Sequence, residues 1–365
     1  MVKKIFLFAI GVFIISLVIY LSGYARETKA SQEQQLSPVL NIYNWEDYLA
    51  PSVLSDFGQR FGVKINLRTF EDEEEILSSL QSEPGKFDLI ILSNRLVGDM
   101  LDSGLFAEIN LENIPNFKNI EQRFTNRKTD PQNKYSVPYL WGTTGIVYNT
   151  QAITDKVDSW SVFWNPAYQG KIGMLNSAIE VIACALKYLG YSLCNLSDSQ
   201  LQEAGSKLRE QRPLVRGYED PVTLTEELNS GNLWLALLYS GDAKKAMFEN
   251  KALKYIIPKE GASLWVDNFC IPQSSPNKYT AEVFINYMLE PRVSAENANY
   301  LGYANCNFAA RAYTSKEILE DTGIYPPEEV LAKCELFKNR GKTPQEVSQR
   351  EQLINKIWSM LQRSN

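Results

Sequence analysis

Aromatic rings and carboxylates follow most of the predicted strands of this sequence, each within a few residues of the strand's end. Ligands of open parallel sheets bind beyond the carboxyl ends of the strands, so side chains placed there can share one pocket. An ammonium group offers three donors and no acceptor, and it is stabilised by carboxylates and by the faces of aromatic rings. Each residue alone is better explained by packing or helix capping, but their recurrence predicts a pocket for an organic cation. The residues are Trp45, Asp47 and Tyr48, Ser93 and Arg95, Glu180, Tyr239 and Asp242, and Trp265 and Asp267.

The composition removes most enzyme chemistries. The chain of 365 residues contains no histidine, which excludes Ser-His-Asp and Cys-His nucleophiles, histidine bases and histidine-containing metal sites. Its five cysteines form no CxxC pair, and we find no Walker-type loop and no GxGxxG, so we expect no cofactor and no metal. An enzyme would have to be a carboxylate-dependent hydrolase, with Asp47 and Asp267 as acid and base for example. The net charge of −6 argues against a nucleic-acid partner.

The N-terminus predicts export. Two lysines precede an apolar run at residues 5–21, and a polar spacer follows it. We interpret residues 1–25 as a signal peptide, with a small-x-small cleavage site ending at Ala25, and residues 26–38 as the spacer. The run is long for a signal core, so an uncleaved N-terminal anchor in the inner membrane is the alternative. Both interpretations predict a protein that works outside the cytoplasm, which is a periplasmic location if the resemblance described below holds.

Export also permits disulfide bonds. Cys184 lies in a predicted helix and Cys194 just past its end, so these two are one candidate pair. Cys306 and Cys334 are the second candidate pair, which leaves Cys270 as a buried thiol in a strand. Five reduced, buried cysteines are the alternative, and the sequence leaves the two open.

Alternating strand and helix patterns predict an α/β protein with two lobes. From residue 39, the segments VLNIYNW, VKINLRTF and FDLIILS read as strands separated by helices, and a second such set begins after residue 160 with KIGML and LWLALLY. Short extended segments near WGTTGIVYN and SLWVDNF are placed to pass between the sets. We expect a mostly parallel sheet flanked by helices in each lobe and a ligand cleft between the lobes. Lobe 1 comprises residues 39–143 with 267–312, and lobe 2 comprises residues 144–266 with 313–365.

Four segments in this order carry a resemblance: YNWEDY, YSVPYLWGTTGIVYN, SLWVDNFCIP and LGYANCNFAAR. Together they resemble the periplasmic spermidine/putrescine-binding proteins of ABC transporters, from about residue 39 to about residue 340. The resemblance implies a type II periplasmic-binding-protein fold. It also implies a monomer whose lobes close over a polyamine and which delivers it to an ABC permease with its ATPase. A membrane-tethered sensor of a polyamine or an amino acid is the alternative function.

Carried over by position, the resemblance also implies the residues that bind the ligand. The aromatic box of the family falls on Trp45, Tyr48, Tyr239, Trp265 and Tyr303. The carboxylates that bind ammonium groups fall on Asp47, Glu180, Asp242 and Asp267, with Ser93 as a polar contact. Most of these positions coincide with the strand-end residues, so the two lines of reasoning predict the same pocket.

The sequence also departs from the family pattern. Ser177 stands where spermidine binders tend to carry an aspartate, and Asp242 matches an acid of putrescine binders, which favours a diamine. Arg95 stands where spermidine binders often have an aromatic residue, and Lys338 falls near another contact position. Like charges repel in a desolvated site. Arg95 therefore turns outward, pairs with Glu46, or marks a changed ligand such as a zwitterionic amino acid, and these alternatives remain open.

Overall fold

A computed structural model of the chain describes residues 35–70, 73–337 and 344–363. The chain divides into two compact units, Met1–Ser37 and Pro38–Asn365, and every element given below lies in the second. The predicted signal peptide or anchor lies outside the described residues. In the part of the chain that the structure describes, no helix combines the length and apolar composition needed to cross a membrane.

One end of the sheet consists of three parallel strands. They are β1 (Val39–Trp45), β2 (Lys64–Phe70) and β3 (Leu89–Ser93), in the order β2-β1-β3. The helices after these strands are α1 (Pro51–Phe61), α2 (Glu73–Ser82) and α3 (Asn94–Met100). Pro51 begins α1, and Gly62 ends it with a φ of 68°, the left-handed conformation that favours glycine. Crossover helices of this kind let consecutive strands run parallel.

The other end of the sheet repeats the arrangement. Its parallel strands are β5 (Ile172–Leu175), β6 (Val215–Glu219) and β7 (Leu235–Tyr239), in the order β7-β5-β6. The helices of this half are α4 (Ala178–Tyr188), α5 (Asp198–Gln211), α6 (Pro221–Asn229) and α7 (Ser240–Glu249). Eight consecutive residues of α4, from 180 to 187, are buried, which fits a helix with few polar side chains that lies inside the protein. The pattern analysis did not predict β6, α5 or α6.

Two antiparallel strands in the middle of the sheet join its two ends. They are β4 (Ser136–Asn149) and β9 (Ser263–Cys270), and the whole path is β2-β1-β3-β9-β4-β7-β5-β6. The last four residues of β9 pair with β3, and β4 pairs with β7 from Thr144 onwards. Two short strands, β8 (Leu253–Ile256) and β10 (Ala304–Asn305), also pair with β4. These two middle strands contain the segments that we expected to pass between lobes.

The remaining helices follow β9. They are α8 (Lys278–Met288), α9 (Pro291–Leu301), α10 (Lys316–Leu319), α11 (Glu328–Leu331) and α12 (Pro344–Gln362). Ile354, Ile357 and Leu361 of α12 pack into the same hydrophobic core as β5, β6 and β7. The rings of Tyr43 and Phe70 belong to a separate core beside β1, β2 and β3. The α/β architecture with parallel strands in each half therefore agrees with the prediction, and the exact lobe boundaries remain a prediction.

The cysteines form no disulfide. All five lie within the described residues, and none is bonded to another cysteine; four are buried and Cys194 is partly buried. The sulfur of Cys194 contacts the carbonyl oxygen of Leu336 at 3.4 Å, and that of Cys334 contacts the carbonyl oxygen of Val330 at 3.5 Å. Of the two alternatives left open by the sequence, the structure has the reduced form.

Candidate functional site

Three carboxylates lie at the carboxyl ends of strands or on the middle strand β9. Asp267 is on β9, Glu180 is in the first turn of α4, and Asp242 is in the first turn of α7. Asp267 and Glu180 are each 8% exposed, and Asp242 is half-buried. Carboxylates are rarely buried to this extent without a partner, so the groups around each one decide its chemistry.

The surroundings of Asp267 come from β9, β3 and the loop after β1. Side chains alternate along a strand, so Ser263, Trp265 and Asp267 lie on one face of β9. The Tyr48 hydroxyl donates a hydrogen bond of 2.6 Å to Asp267 Oδ2, and Ser93 of β3 is the residue opposite Asp267 in the sheet. Burial raises the pKa of the Asp267 carboxyl to about 6, against the effect of the Tyr48 hydrogen bond.

Glu180 lies against the other end of β9. The Ser263 hydroxyl donates to Glu180 Oε1 at 3.2 Å, and the helix containing Glu180 is capped by the Ser177 hydroxyl. Among the described residues, the second carboxylate oxygen of Glu180 has no hydrogen-bond partner and is buried. Burial raises the pKa of Glu180 to about 6. An unsatisfied buried carboxylate oxygen is costly, and a cationic donor would satisfy it.

Asp242 completes the group of carboxylates. The Tyr303 hydroxyl donates to Asp242 Oδ2 at 2.7 Å, and burial raises the pKa of Asp242, with a smaller contribution from the charge of Asp47. Gly241, directly before Asp242, lies under the Tyr303 ring, because a Cβ added there would approach the ring to 2.4 Å. Only glycine lets the start of α7 come this close to the ring.

A continuous series of edge-to-face rings connects the three carboxylates. The ring centroids of Tyr48 and Tyr303 are 5.6 Å apart, those of Tyr303 and Trp265 are 5.3 Å apart, and those of Trp265 and Tyr239 are 5.9 Å apart. Tyr139 extends the series beyond Tyr48 at 5.8 Å. The structure therefore brings together four of the five rings of the predicted aromatic box. These rings can pack against an alkyl chain and stabilise a cation.

The remaining predicted residues are placed differently. Trp45 packs its ring on Phe70 at 4.4 Å, and its buried indole nitrogen has no partner in the described part of the chain. Asp47 is exposed and adopts a φ of 50°, an uncommon backbone conformation for a residue other than glycine. The Ser93 hydroxyl accepts a hydrogen bond from the Leu96 amide and so caps α3. Of these three, Ser93 lies opposite Asp267 in the sheet and the charge of Asp47 acts on Asp242, whereas Trp45 packs against Phe70.

Arg95 lies near the site and pairs with an aspartate that the sequence analysis did not consider. Its guanidinium lies 3.2 Å from Asp99 Oδ2, one helical turn further along α3, and the two side chains are 22% and 16% exposed. The positive charge of Arg95 also lowers the pKa of Glu180, against the larger effect of burial. Lys338, the other unexpected cation, lies outside the described residues.

The charge balance of the site favours a cation. Among the described residues, no lysine or arginine forms an ion pair with Asp267, Glu180 or Asp242 within 4.0 Å. The described residues also contain no group of three or more metal-ligating side chains that could hold a metal ion. The arrangement can therefore bind an organic ammonium by hydrogen bonds and charge.

Sequence reasoning missed several residues of this site. Ser263 and Tyr139 carry no pattern that marks them, because both are ordinary residues within strands. Glycines gave a usable signal: a Cβ on Gly142 would come within 2.4 Å of the Trp265 ring, as a Cβ on Gly241 would for Tyr303. A glycine inside a predicted strand or at a helix start indicates close approach of another group.

The chain is similar in sequence to bacterial solute-binding proteins. The profile of a family described as bacterial extracellular solute-binding protein matches residues 52–326. The chain is 33% identical over 302 residues to a spermidine/putrescine-binding periplasmic protein of Salmonella typhimurium, and the alignment covers 81% of this chain and 85% of that protein. It is 33% identical over 319 residues to a putrescine-binding periplasmic protein of Escherichia coli, and the alignment covers 82% of this chain and 86% of that protein.

Solved structures show the same likeness. The spermidine/putrescine ABC transporter substrate-binding protein of Streptococcus pneumoniae is 30% identical, with a TM-score of 0.77 over 90% of this chain and 100% of that one. A lipoprotein of Treponema pallidum is 26% identical, with a TM-score of 0.79 over 88% of this chain and 99% of that one. This similarity confirms the predicted two-lobed α/β fold.

Proposed function

The chain belongs to the family of bacterial extracellular solute-binding proteins, and from this premise we propose that it captures a polyamine and delivers it to an ABC permease. Members of this family are transport proteins, and this chain is one of them and not an enzyme. The two relatives described above are named for binding spermidine and putrescine, and for binding putrescine. The proposed ligand is putrescine or spermidine, with a preference for the diamine.

One observation carries the proposal. Asp267, Glu180 and Asp242 are buried or half-buried, each accepts a side-chain hydrogen bond from a hydroxyl at a distance between 2.6 and 3.2 Å, and no described lysine or arginine pairs with them. An ammonium supplies the donors that these oxygens lack, and rings between the carboxylates supply the surface that an alkyl chain needs. A sugar or a carboxylic acid carries no positive charge with which to offset the charge of these carboxylates.

The assignment of ligand contacts is part of the same proposal. Three carboxylates are available to hold ammonium groups, namely Asp267 with Tyr48, Asp242 with Tyr303, and Glu180, and a diamine uses two of them. The walls consist of the rings of Trp265, Tyr239, Tyr303 and Tyr48, with Trp45, Asp47 and Ser93 at the border. Closure of the two lobes removes water from these contacts and so strengthens them.

The proposal is tested by calorimetric titration of the purified full-length chain, kept in mild detergent, with putrescine, spermidine, arginine and glutamate. We expect both polyamines to bind, putrescine more tightly, and glutamate to give no binding heat. Binding of arginine or glutamate without any polyamine binding would show that the ligand class is wrong. A hydrolytic product formed from the added ligand would show that the protein does more than bind.

The partner and the location are tested separately. We propose that the protein works as a monomer outside the cytoplasm, with an ABC permease and its ATPase, and that the N-terminal apolar segment exports or tethers it. Crosslinking in membranes, followed by identification of the crosslinked chains, is expected to find permease subunits. Crosslinking only to a signalling protein would favour the sensor alternative. The mass of the mature chain distinguishes a cleaved signal peptide from an anchor.

A further inference from the structure

A short segment after α11 pairs with the start of β9. The amide of Glu335 donates to the carbonyl oxygen of Ala262 at 3.0 Å, and the amide of Leu264 donates to the carbonyl oxygen of Glu335 at 2.9 Å. These two hydrogen bonds lie on either side of Ser263, which pairs with Thr144 of β4 along its other edge. The start of β9 is therefore held between β4 and this segment, and its register is fixed from both sides.

The carboxylate of Glu335 reaches the C-terminal end of α4. Its Oε2 atom accepts from Lys187 Nζ at 2.5 Å and from the Leu193 amide at 3.0 Å, and its Oε1 atom accepts from the Ser192 hydroxyl at 2.7 Å. Lys187 lies in the last turn of α4, and its side chain is only 8% exposed. A lysine buried to this extent needs a charged partner, so Glu335 and the end of α4 hold each other in place.

Glu180 lies in the first turn of the same helix. It is separated from Lys187 by nearly two turns, or about 10 Å, so the two residues share one face of α4. Glu180 accepts a hydrogen bond from Ser263, and the residues on either side of Ser263 are bonded to Glu335. The contacts therefore form a closed ring, from Glu180 through Ser263 and Glu335 to Lys187 and back along α4. Such a ring restricts a side chain more than one hydrogen bond does.

We propose that Glu335 is a positioning residue of the ligand site, which holds the start of β9 and α4 together so that the Glu180 carboxylate stays in its binding orientation. The inference rests on the proposed polyamine function and adds to it a residue that acts through others. Ser263 occupies one oxygen of Glu180, and the second oxygen, which has no partner among the described residues, is left for the ligand. A carboxylate that is already oriented loses less freedom on binding, which favours affinity.

The experiment is a double-mutant cycle between Glu335 and Glu180, with putrescine and spermidine affinities measured by calorimetry on the full chain. E335Q keeps an acceptor oxygen and removes the charge that balances Lys187. In the wild-type background, we expect E335Q to lower the affinity for at least one polyamine about fivefold. In the E180Q background, which lacks the charge to be positioned, we expect the same substitution to lower that affinity less than about twofold. A residue that only stabilises the fold would show no such dependence on position 180.

A second variant and a control complete the cycle. E335Q leaves Lys187 buried without its counter-charge, so K187M/E335M removes both charges together, an exchange that is often close to neutral for stability. We expect it to show the same dependence on E180Q. The control is R350M: Arg350 of α12 pairs with Asp198 at 3.4 Å and donates to the Leu196 carbonyl oxygen at 2.6 Å, so it fastens α12 to the start of α5. R350M should lower the melting temperature and change affinity by the same factor in both backgrounds.

The outcomes separate the two proposals. If E335Q and K187M/E335M leave affinity unchanged, or lower it equally with and without E180Q, the positioning role of Glu335 is wrong and the polyamine function stands. If E180Q alone changes neither affinity, Glu180 is not a ligand contact, and the inference fails while the wild type still binds its polyamine. If the wild type binds neither polyamine, the proposed function fails and the inference fails with it.

Discussion

Two sets of buried carboxylates in this protein differ in the hydrogen bonds that they accept. The first set lies away from the candidate pocket and consists of Asp88, Asp130 and Glu282, which are 0%, 3% and 2% exposed. Asp88 accepts hydrogen bonds from the main chain and side chain of Asn41 and from the side chains of Ser275 and Asn277. The oxygens of these carboxylates accept their hydrogen bonds from the protein itself and need no ligand.

Asp130 and Glu282 show how this first set stabilises the fold. Asp130 accepts from the amides of Lys134 and Tyr135 at 3.0 Å each and from the Ser136 hydroxyl at 2.7 Å, so it closes the turn before β4. Glu282 accepts from the Asn110 amide at 2.8 Å and from the Asn113 side chain at 2.6 Å. Both carboxylates therefore have hydrogen-bond donors supplied by the fold itself.

The second set consists of the pocket carboxylates, and its members accept fewer hydrogen bonds from the protein. Within the part of the chain that the structure describes, hydroxyl groups donate to Asp267 and Glu180 and no backbone amide does, and burial raises the pKa of both carboxyls to about 6. Burial alone therefore does not distinguish a binding carboxylate from a structural one. The number of donors does, because a carboxylate with few donors is costly until a ligand supplies more.

The largest expected effect is the loss of ligand affinity in D267N. The substitution removes a buried charge that would face the ligand's ammonium, and such losses cost about 2–5 kcal/mol, or roughly 30-fold to several thousand-fold in affinity. We expect putrescine binding to weaken by at least the lower figure, as measured by calorimetry. The ligand-free melting temperature is expected not to fall, because an asparagine oxygen still accepts from Tyr48.

A normal affinity combined with a lowered melting temperature would show that Asp267 belongs to the structural set. The control for charge is E83Q: Glu83 is partly exposed and pairs with Arg68 and Lys86 away from the pocket. E83Q is expected to leave putrescine affinity within about twofold of the wild type.

The opposite result is expected for D130A. Removing this carboxylate leaves two partly buried backbone amides and one buried hydroxyl without their acceptor, at a cost of about 1–3 kcal/mol for a group left unsatisfied away from water and less for one that water can reach. We expect the free energy of unfolding, measured by urea denaturation, to fall by about 3 kcal/mol. Putrescine affinity of the folded protein should change less than about twofold. A stable D130A variant with impaired binding would remove the distinction between the two sets.

The pH dependence of stability provides a third test. The pKa of Asp267 and that of Glu180 are about 6, which is above the values of an unfolded chain. In the ligand-free protein, the stabilisation contributed by the protonated carboxyls is therefore fully present below about pH 4. It is lost as the pH rises through about 6. D267N has no such titration. Its free energy of unfolding relative to wild type should therefore rise by about 1–3 kcal/mol between pH 4 and pH 7.5.

Ligand binding reverses the direction of this dependence. An ammonium favours the ionised carboxylates, so putrescine affinity of the wild type is expected to fall as the pH drops below about 6. Thermal melting across the pH range, with and without putrescine, measures both effects. A difference between D267N and wild type that does not change with pH would show that Asp267 is ionised at low pH and that its burial has little effect.

Much of this fold could be predicted from the sequence because its strands are short apolar runs with clear ends. The segment VLNIYNW forms β1 over Val39–Trp45, and PSVLSDFGQRF forms α1 over Pro51–Phe61, where proline and glycine mark both ends. The strand β6 (Val215–Glu219) was missed, because only one of its five residues is buried and its sequence, VRGYE, has no apolar pattern. Pattern analysis finds what is buried on a regular period.

The ligand-binding role of the site remains a prediction, and the structure adds its geometry. Rings and carboxylates at strand ends predicted Asp267, Glu180 and Asp242 as ligand contacts, and the structure surrounds them with hydroxyl donors and edge-to-face rings. The partner of Arg95 could not be decided between outward turning, Glu46 and the ligand, because side-chain pairing depends on three-dimensional proximity. Asp99 pairs with it from four residues away on the same helix, a spacing that helix geometry makes available.

The smallest expected effect distinguishes the two pocket carboxylates that each accept a hydrogen bond from a tyrosine, Asp242 from Tyr303 and Asp267 from Tyr48. Y303F removes the hydroxyl that donates to Asp242 and keeps the ring that packs over Gly241 and beside Trp265. Asp242 is half-buried, so water can replace the lost donor, and we expect putrescine affinity to fall about threefold to fivefold.

Y48F removes the corresponding donor from Asp267, which is only 8% exposed, and water replaces it less easily, so a fall of about tenfold is expected. The matched control is Y191F, because the Tyr191 hydroxyl donates to Glu203 at 2.7 Å on the exposed surface. Y191F should leave affinity unchanged. A larger loss of affinity in Y303F than in Y48F would contradict this order. It would mean that water has less access to Asp242 than to Asp267 when the ligand is bound. Lobe closure would then bury Asp242 more than its exposure in the ligand-free protein indicates.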